Sequence, residues 1–183
     1  MAPPAEWGLA AIQIGKALGA TVIATAGSGE KIAACLAQGA DHAVNYEEVD
    51  FVEAVMELTG GHGADVIYDP VGGEVFTKSR RCIAFDGRLV VGGFASGQIP
   101  EIAANRMLLR TFSVSGFTLH AYQKHRPDLL EKSEQALMDF YREGKIDPVF
   151  SAVLPMSQLI GGLKMLEDRK SIGKVVLVAE EGG

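Results

Sequence analysis

Behind the β-branched run "ATVIATA" (residues 20–26) the chain reads Ala26-Gly27-Ser28-Gly29-Glu30-Lys31. From Gly8 to this point the pattern is that of the first helix and second strand of a dinucleotide-binding βαβ unit. In such a unit an acidic residue at the end of the second strand accepts hydrogen bonds from the adenosine ribose. Ala26 and Gly27 stand in its place, so the repulsion a carboxylate would exert on a 2′-phosphate is gone. A Ser28 hydroxyl and a Lys31 ammonium could then hold that phosphate directly. The competing reading makes Ser28 a helix cap and Lys31 a solvated surface residue, and the residues alone leave both open. Glu30 is expected to point to solvent.

Four further stretches carry groups able to do chemistry. Tyr46, after the next strand, either lies along a cofactor or packs at a strand end. "DPVGG" (69–73) and "GGFASG" (92–97) fit strand-end turns where backbone approaches a ligand closely, as glycine permits. Asp69 reads first as a turn former ahead of Pro70, with a catalytic carboxylate as the other possibility. The positive stretch "QKHR" (123–126) reads as a solvated turn before a helix, rather than as an anion site. His42, His62, His120 and His125 lack the spacing of a zinc site, so no metal is expected. Cys35 and Cys82 stand far apart in apolar patterns that read as helical, and are expected to be buried, reduced thiols.

These residues need elements to hold them, and the chain alternates helix and strand throughout. Residues 8–18 are apolar at Leu9, Ile12 and Leu18 with small residues between, a helix able to lie closely on a sheet. Ser28 can cap a helix through about Gln38, with Gly39 as its stop. "HAVNY" is a strand and "VDFVEAVMELTGG" a helix closed by paired glycines. "ADVIYDPVGG" reads as a strand running into a turn, "EVFTKSRRCIAF" as a helix, "GRLVVGGFASG" as a strand and "TFSVSGF" as another. A long amphipathic helix covers "PDLLEKSEQALMDFYREGKI". Phe150–Leu154, a helix around Ser157–Arg169 and the strand "KVVLVA" complete the chain. Strands joined by helices of this length pair in parallel through right-handed crossovers. The expected fold is therefore α/β, a doubly wound, Rossmann-like, mostly parallel sheet. Its ligands should bind beyond the carboxyl ends of the strands.

Composition narrows the partners. The chain has 183 residues, 48% of them hydrophobic, and a net charge of -6, which gives no reason to expect nucleic acid or an anionic membrane surface. No apolar run approaches the ~18–20 residues that cross a bilayer. Two unpaired cysteines suit a reducing cytoplasm.

Taken in order, "GLAAIQIGKALGATVIATAGSGEK", "LAQGADHAVNY", "GADVIYDPVGGEVF", "GRLVVGGFASGQIPEI" and "SIGKVVLV" resemble the cofactor-binding half of medium-chain dehydrogenases/reductases. The likeness is greatest to the zinc-independent NADPH:quinone oxidoreductase group, and it runs from Gly8 to about Val178. It implies NADPH as cofactor, and hydride transfer to a quinone or other electron-poor enone. It also implies a dinucleotide-binding domain over 8–146, with 147–183 returning to a catalytic domain. Gly8, Gly27, Ser28, Lys31, Tyr46, Val71, Gly93 and Phe94 fall at cofactor-facing positions by this analogy. No catalytic side chain is assigned. Relatives pair across two nucleotide domains, so a homodimer through the sheet edge near Ile99–Ala103 is expected. Other readings are a non-catalytic nucleotide-binding or interaction protein derived from the same fold, or an enoyl-thioester reductase.

The resemblance breaks before Gly8. Gly8 matches the last glycine of the family's phosphate-binding loop, whereas "MAPPAEW" does not match the rest of it. The loop, the first strand and the preceding catalytic domain are therefore expected to be missing from these 183 residues, which alone should reduce quinone negligibly. In the strand order 3-2-1-4-5-6 the missing strand is central and leaves a slot. Pro3 and Pro4 disqualify the N-terminal residues as a filler. A larger protein could supply the strand, Val175–Val178 could fill the slot in cis or by exchange, or the isolated chain could be only partly folded.

Overall fold

The computed structural model describes residues 6–168 and 171–179. The chain divides into two compact units, one built mainly from residues 48–136 and the other from residues 2–47 with 137–183. The expectation about Pro3 and Pro4, and the proposed helix end at Arg169, fall outside the described residues.

The second unit begins with α1 (Glu6–Ala17), β1 (Ile23–Ala26), α2 (Gly29–Ala37) and β2 (His42–Asn45). Small residues let α1 lie close. A Cβ on Gly15 would sit 2.9 Å from Val22. Leu9 and Ile12 of α1 form one buried cluster with Cys35 and Ala40, against which Val22, Ala24 and Ala43 pack. Ser28 caps α2 as its type suggests, and Gly39 (φ 94°) provides the left-handed stop. β1 and β2 pair in parallel, Ile23 against His42 through Ala26 against Asn45. Further along, β6 (Phe150–Pro155), a 3₁₀ turn at Met156–Gln158, α8 (Leu159–Glu167) and β7 (Lys174–Val178) complete this unit. Gln13 ties α1 to this part of the chain. Its side chain donates to the Asp147 carbonyl at 2.8 Å and accepts from the Asp147 N–H at 3.0 Å.

The first unit holds α3 (Phe51–Leu58), β3 (Ala64–Asp69), α4 (Gly73–Ser79), β4 (Ile83–Val91), α5 (Ala104–Arg110), β5 (Ser113–Gly116) and α6 (Leu119–His125). The long helix α7 (Pro127–Arg142) begins in this unit. The three strands form one parallel sheet in the order β3-β4-β5. Leu89, on the central strand, is fully buried and packs with Phe76, Ile83 and Phe112.

Three expectations need correction. Val175–Val178 does not fill a gap in the nucleotide-binding sheet in cis, because β7 pairs in parallel with β6, Val175 opposite Ala152 through Val178 opposite Pro155. The chain satisfies this apolar strand locally through the α8 crossover. Second, "EVFTKSRRCIAF" is not one helix. α4 stops at Ser79, Cys82 lies in the bend, and Ile83 already pairs with Ala64. A short apolar run of this kind fits helix and strand equally, and burial of Ile83 and Ala84 against the sheet decides. Third, "QKHR" is not a turn ahead of a helix: its first three residues are the last of α6 and Arg126 is that helix's cap. Among the described residues β1 pairs only with β2 and β3 only with β4, so each keeps one edge without a ladder.

Asp41 fastens the second unit's opening turn. Its carboxylate accepts from Lys16 Nζ at 2.8 and 2.9 Å and from the Val22 N–H at 2.7 Å. The lysine hydrogen bond first, and the Val22 N–H second, hold its carboxyl below the usual carboxylate range. A lowered folded-state pKa contributes stability above the unfolded value of about 3.9, and that contribution disappears as pH falls through the folded value. Asp41→Asn should therefore lower the urea midpoint at pH 7, and the difference from the parent chain should shrink as pH falls below the carboxylate range. An equal difference at neutral and acid pH would contradict the assignment.

Candidate functional site

In each unit the candidate residues gather at the carboxyl ends of strands. In the second unit, Gly27 follows β1 and Tyr46 follows β2, joined by the Tyr46 N–H donating to the Ala26 carbonyl at 3.0 Å. The tyrosine ring lies directly over Gly27. A Cβ there would sit 2.7 Å from the phenolic oxygen and 2.8 Å from Cε2. This contact, rather than any unusual φ, is what demands glycine. Tyr46 packs on Gly27 at the strand end.

Ser28 begins α2, with its Oγ accepting from the Lys31 N–H at 3.4 Å. The cap reading is correct, yet it does not exhaust the side chain. A capping hydroxyl uses a lone pair, and its O–H remains a donor. Lys31 is half-buried, and among the described residues no ion pair is found for it. Glu30 is exposed, as expected. Ser28, Lys31, Gly27 and Tyr46 thus share one strand end. The start of α2 thus carries a hydroxyl and a lysine, and β1 ends in Ala26 and not in an acid. Gly8 lies in α1, with open space where a Cβ would be.

In the first unit, "DPVGG" and "GGFASG" are laced together. The Gly92 N–H donates to the Asp69 carbonyl at 2.8 Å, Ala95 to Pro70 at 3.1 Å, Ser96 to Val71 at 3.0 Å and Gly73 to Gln98 at 3.1 Å. Val71 is half-buried in this pair of turns, and Phe94 is 43% exposed beside it. A Cβ on Gly93 would lie 3.3 Å from the Pro70 carbonyl oxygen, and one on Gly92 would enter the Tyr68 ring. Burial first, and the neighbouring Asp69 charge second, push the Tyr68 phenol up.

Asp69 is the turn former its sequence position suggests. Its Oδ1 accepts from the Val71 N–H at 2.8 Å and the Gly72 N–H at 3.0 Å. The side chain is only 2% exposed, and Oδ2 is buried with no hydrogen-bond partner among the described residues. A buried acceptor without a donor is costly. The sequence gives no sign of it, because it depends on where neighbouring chain runs.

The remaining candidates do not assemble. His62 pairs with Asp65 at 2.8 Å on the surface, while His42, His120 and His125 are exposed. Among the described residues no three potential ligands gather around a metal position. "QKHR" ends α6, and Arg126 forks onto Asp128 with two 3.0 Å hydrogen bonds. Cys35 and Cys82 are both buried and unbridged. Burial pushes the Cys35 thiol up and the Cys82 thiol to about 11, so neither is a thiolate nucleophile at neutral pH. No described helix is long and apolar enough to cross a membrane.

The family model described as "Zinc-binding dehydrogenase" matches residues 8–154. The chain belongs to this family. Among its members, the chain is 38% identical over 172 residues to "Quinone oxidoreductase-like protein 2 homolog" of Nematostella vectensis, which covers 93% of the chain and 47% of that protein. It is 32% identical to "2-haloacrylate reductase" of a Burkholderia species, covering 89% of the chain and 49% of that protein. The crystal structure of Escherichia coli quinone oxidoreductase complexed with NADPH superposes with a TM-score of 0.81 at 31% identity, covering 93% of the chain and 53% of that structure. The Rossmann-like fold and the medium-chain dehydrogenase/reductase membership read from the sequence are both correct. The chain spans about half the length of the relatives it matches. Among the described residues no ligand set fits the zinc in the family's description.

Gly72 is the most constrained backbone position of the site. Its φ of 73° and ψ of -159° lie in territory only glycine occupies freely, and a Cβ would sit 2.8 Å from the Gln98 carbonyl oxygen. Gly72→Ala should destabilise the chain by roughly 1–3 kcal/mol in urea unfolding. A change within measurement error would show that the two turns move apart freely.

Proposed function

We propose that this chain is the NADPH-binding portion of an oxidoreductase that passes hydride to a quinone or another electron-poor alkene. The observation that carries this reading is the strand end at Gly27, Ser28, Lys31 and Tyr46, where a capping hydroxyl and a half-buried lysine without an ion pair among the described residues follow a strand that ends in Ala26 and not in an acid. The NADPH named with the Escherichia coli relative, and the quinone and haloacrylate named with others, support it. The residues fit the cofactor's 2′-phosphate: Ser28 Oγ and the half-buried Lys31, for which no ion pair is found among the described residues, stand together where α2 follows β1.

In this reading Ser28 donates to the 2′-phosphate and Lys31 neutralises it, while Tyr46 walls the adenosine side. Val71, Gly93 and Phe94 shape the strand ends toward the reacting half. The nicotinamide supplies the hydride when bound. Electron-poor acceptors need position more than side-chain acid or base, which agrees with the lack of an assigned catalytic residue. Residues 8–146 act as the dinucleotide-binding domain and 147–183 as a segment that returns toward a catalytic domain. The span of the family match, 8–154, supports the first of these. The protein works in the cytoplasm and binds no zinc.

Titration of both cofactors tests the central claim. Lys31→Ala should weaken NADPH binding by ~1–2 kcal/mol, the scale of a charge-assisted contact, and leave NADH nearly unchanged. Equal loss for both would remove the 2′-phosphate from this strand end.

The same reading includes a homodimer through the edge near Ile99–Ala103. Ile99 is 75% exposed, and β5 has one edge without a partner among the described residues. An exposed apolar residue and a free sheet edge in the same unit favour isologous pairing. Light scattering should report a dimer that Ile99→Lys shifts toward monomer. A parent chain monomeric at high concentration would end this part of the proposal.

A further inference from the structure

At the other end of the β3-β4-β5 sheet, Arg80, Arg81, Arg106 and Arg110 line a cavity of about 280 Å³ beside the buried Phe112. Arg80 and Arg81 follow α4 and precede β4. Arg106 and Arg110 stand one turn apart on α5, hence on one face, and precede β5. Sequence separation hides the group, since its two halves lie about thirty positions apart.

Some of this charge has a local use. Arg110 Nη1 donates to the carbonyls of Arg80 at 3.2 Å and Arg81 at 3.1 Å, and Arg80 Nε donates to the Thr77 carbonyl at 3.0 Å. Cations suit helix carboxyl ends, so α4 and α5 offset part of the repulsion. Arg106 has no such contact and is exposed at the cavity. The one carboxylate paired to the group among the described residues is Asp50, 4.0 Å from Arg81 Nη1. Four guanidiniums against one distant acid, in a chain of net charge -6, leave a local excess of positive charge.

We infer that this cavity is a binding site for a compact multivalent oxyanion: a phosphate or diphosphate group, free or as the head of a small phosphorylated metabolite. Planar guanidinium forks match such oxygens two at a time, and the apolar Phe112 lowers screening around them. The volume falls just below the roughly 300–1,000 Å³ of pockets that enclose drug-sized ligands, so a headgroup fits and a dinucleotide does not. The site shares no residue with the strand-end turns at Asp69–Gly73 and Gly92–Gly97. It therefore stands or falls apart from the cofactor reading.

Calorimetric titration with inorganic pyrophosphate tests it, using Lys31→Ala as background to silence the strand end at Ser28. One saturable site is expected, weakening steeply with added salt. Arg106→Ala and Arg80→Ala should each lower its affinity about tenfold or more, and Arg106→Lys, which keeps charge but loses the fork, should fall between. Circular dichroism and urea midpoints confirm that each variant is folded. Arg110 is left intact because it also holds two backbone carbonyls. Phenyl phosphate binding more tightly than inorganic phosphate would support the site as one for a metabolite's headgroup, and equal affinities would support it as one for the free ion. Absence of saturable binding in the background chain, or binding that folded Arg106→Ala and Arg80→Ala leave unchanged, overturns the inference.

Discussion

Parallel pairing governs this chain. Each described strand pair, β1 with β2, β3 with β4, β4 with β5 and β6 with β7, runs in the same direction. Tight turns cannot join such strands, so a crossover must return the chain each time. The helices α2, α4, α5 and α8 are those crossovers. Within each sheet the strand carboxyl ends then lead into helix amino ends on one side. On the other side, helix carboxyl ends lead back into strands. Ser28 and the turn at Asp69–Gly73 sit on the first kind of side, where backbone N–H groups are spare. Arg80, Arg81 and Arg110 sit on the second kind, where spare carbonyls attract cations. One topological constraint thus sorts anion-seeking and cation-seeking backbone to opposite ends.

At the strand ends, shape is set by what is missing from the side chains. Gly27 exists because Tyr46 occupies the space of a Cβ, and Gly92 because Tyr68 does. The two tyrosines play matching parts in the two units, each packed on the glycine that follows a strand. Such close contact leaves few positions able to tolerate a larger residue, which fits a site that acts by placing a bound group and not by proton transfer.

Much of this was legible in the sequence. The period of apolar residues marked most of the crossovers, and Ser28 and Gly39 marked the limits of α2, because caps and stops act locally. Two helices escaped notice for equally local reasons. α5 has Ala103 as its cap with no side-chain hydrogen bond, and it ends at Thr111 in the left-handed region (φ 51°), where glycine would have signalled a stop. α6 is only seven residues long, in a stretch rich in polar groups. Strand partners were less legible than strands. "KVVLVA" announced burial, but its partner β6 was decided by the crossover through α8. The strand-end candidates were readable because glycine, serine and lysine are close in sequence. The orphaned Asp69 oxygen and the arginine cavity were not, since both arise from segments that meet only in the fold.

The buried cysteines have a consequence for chemical self-damage. Quinones and activated alkenes are soft electrophiles, and the thiolate is the protein group they alkylate most readily. The chain has two cysteines. Both are enclosed, each about 2% exposed, and burial holds both in the neutral thiol form well above neutral pH. A protein that meets such reagents is alkylated where a reactive thiol faces solvent. By placing Cys35 and Cys82 in the core, this chain keeps both of its thiols out of reach of such reagents.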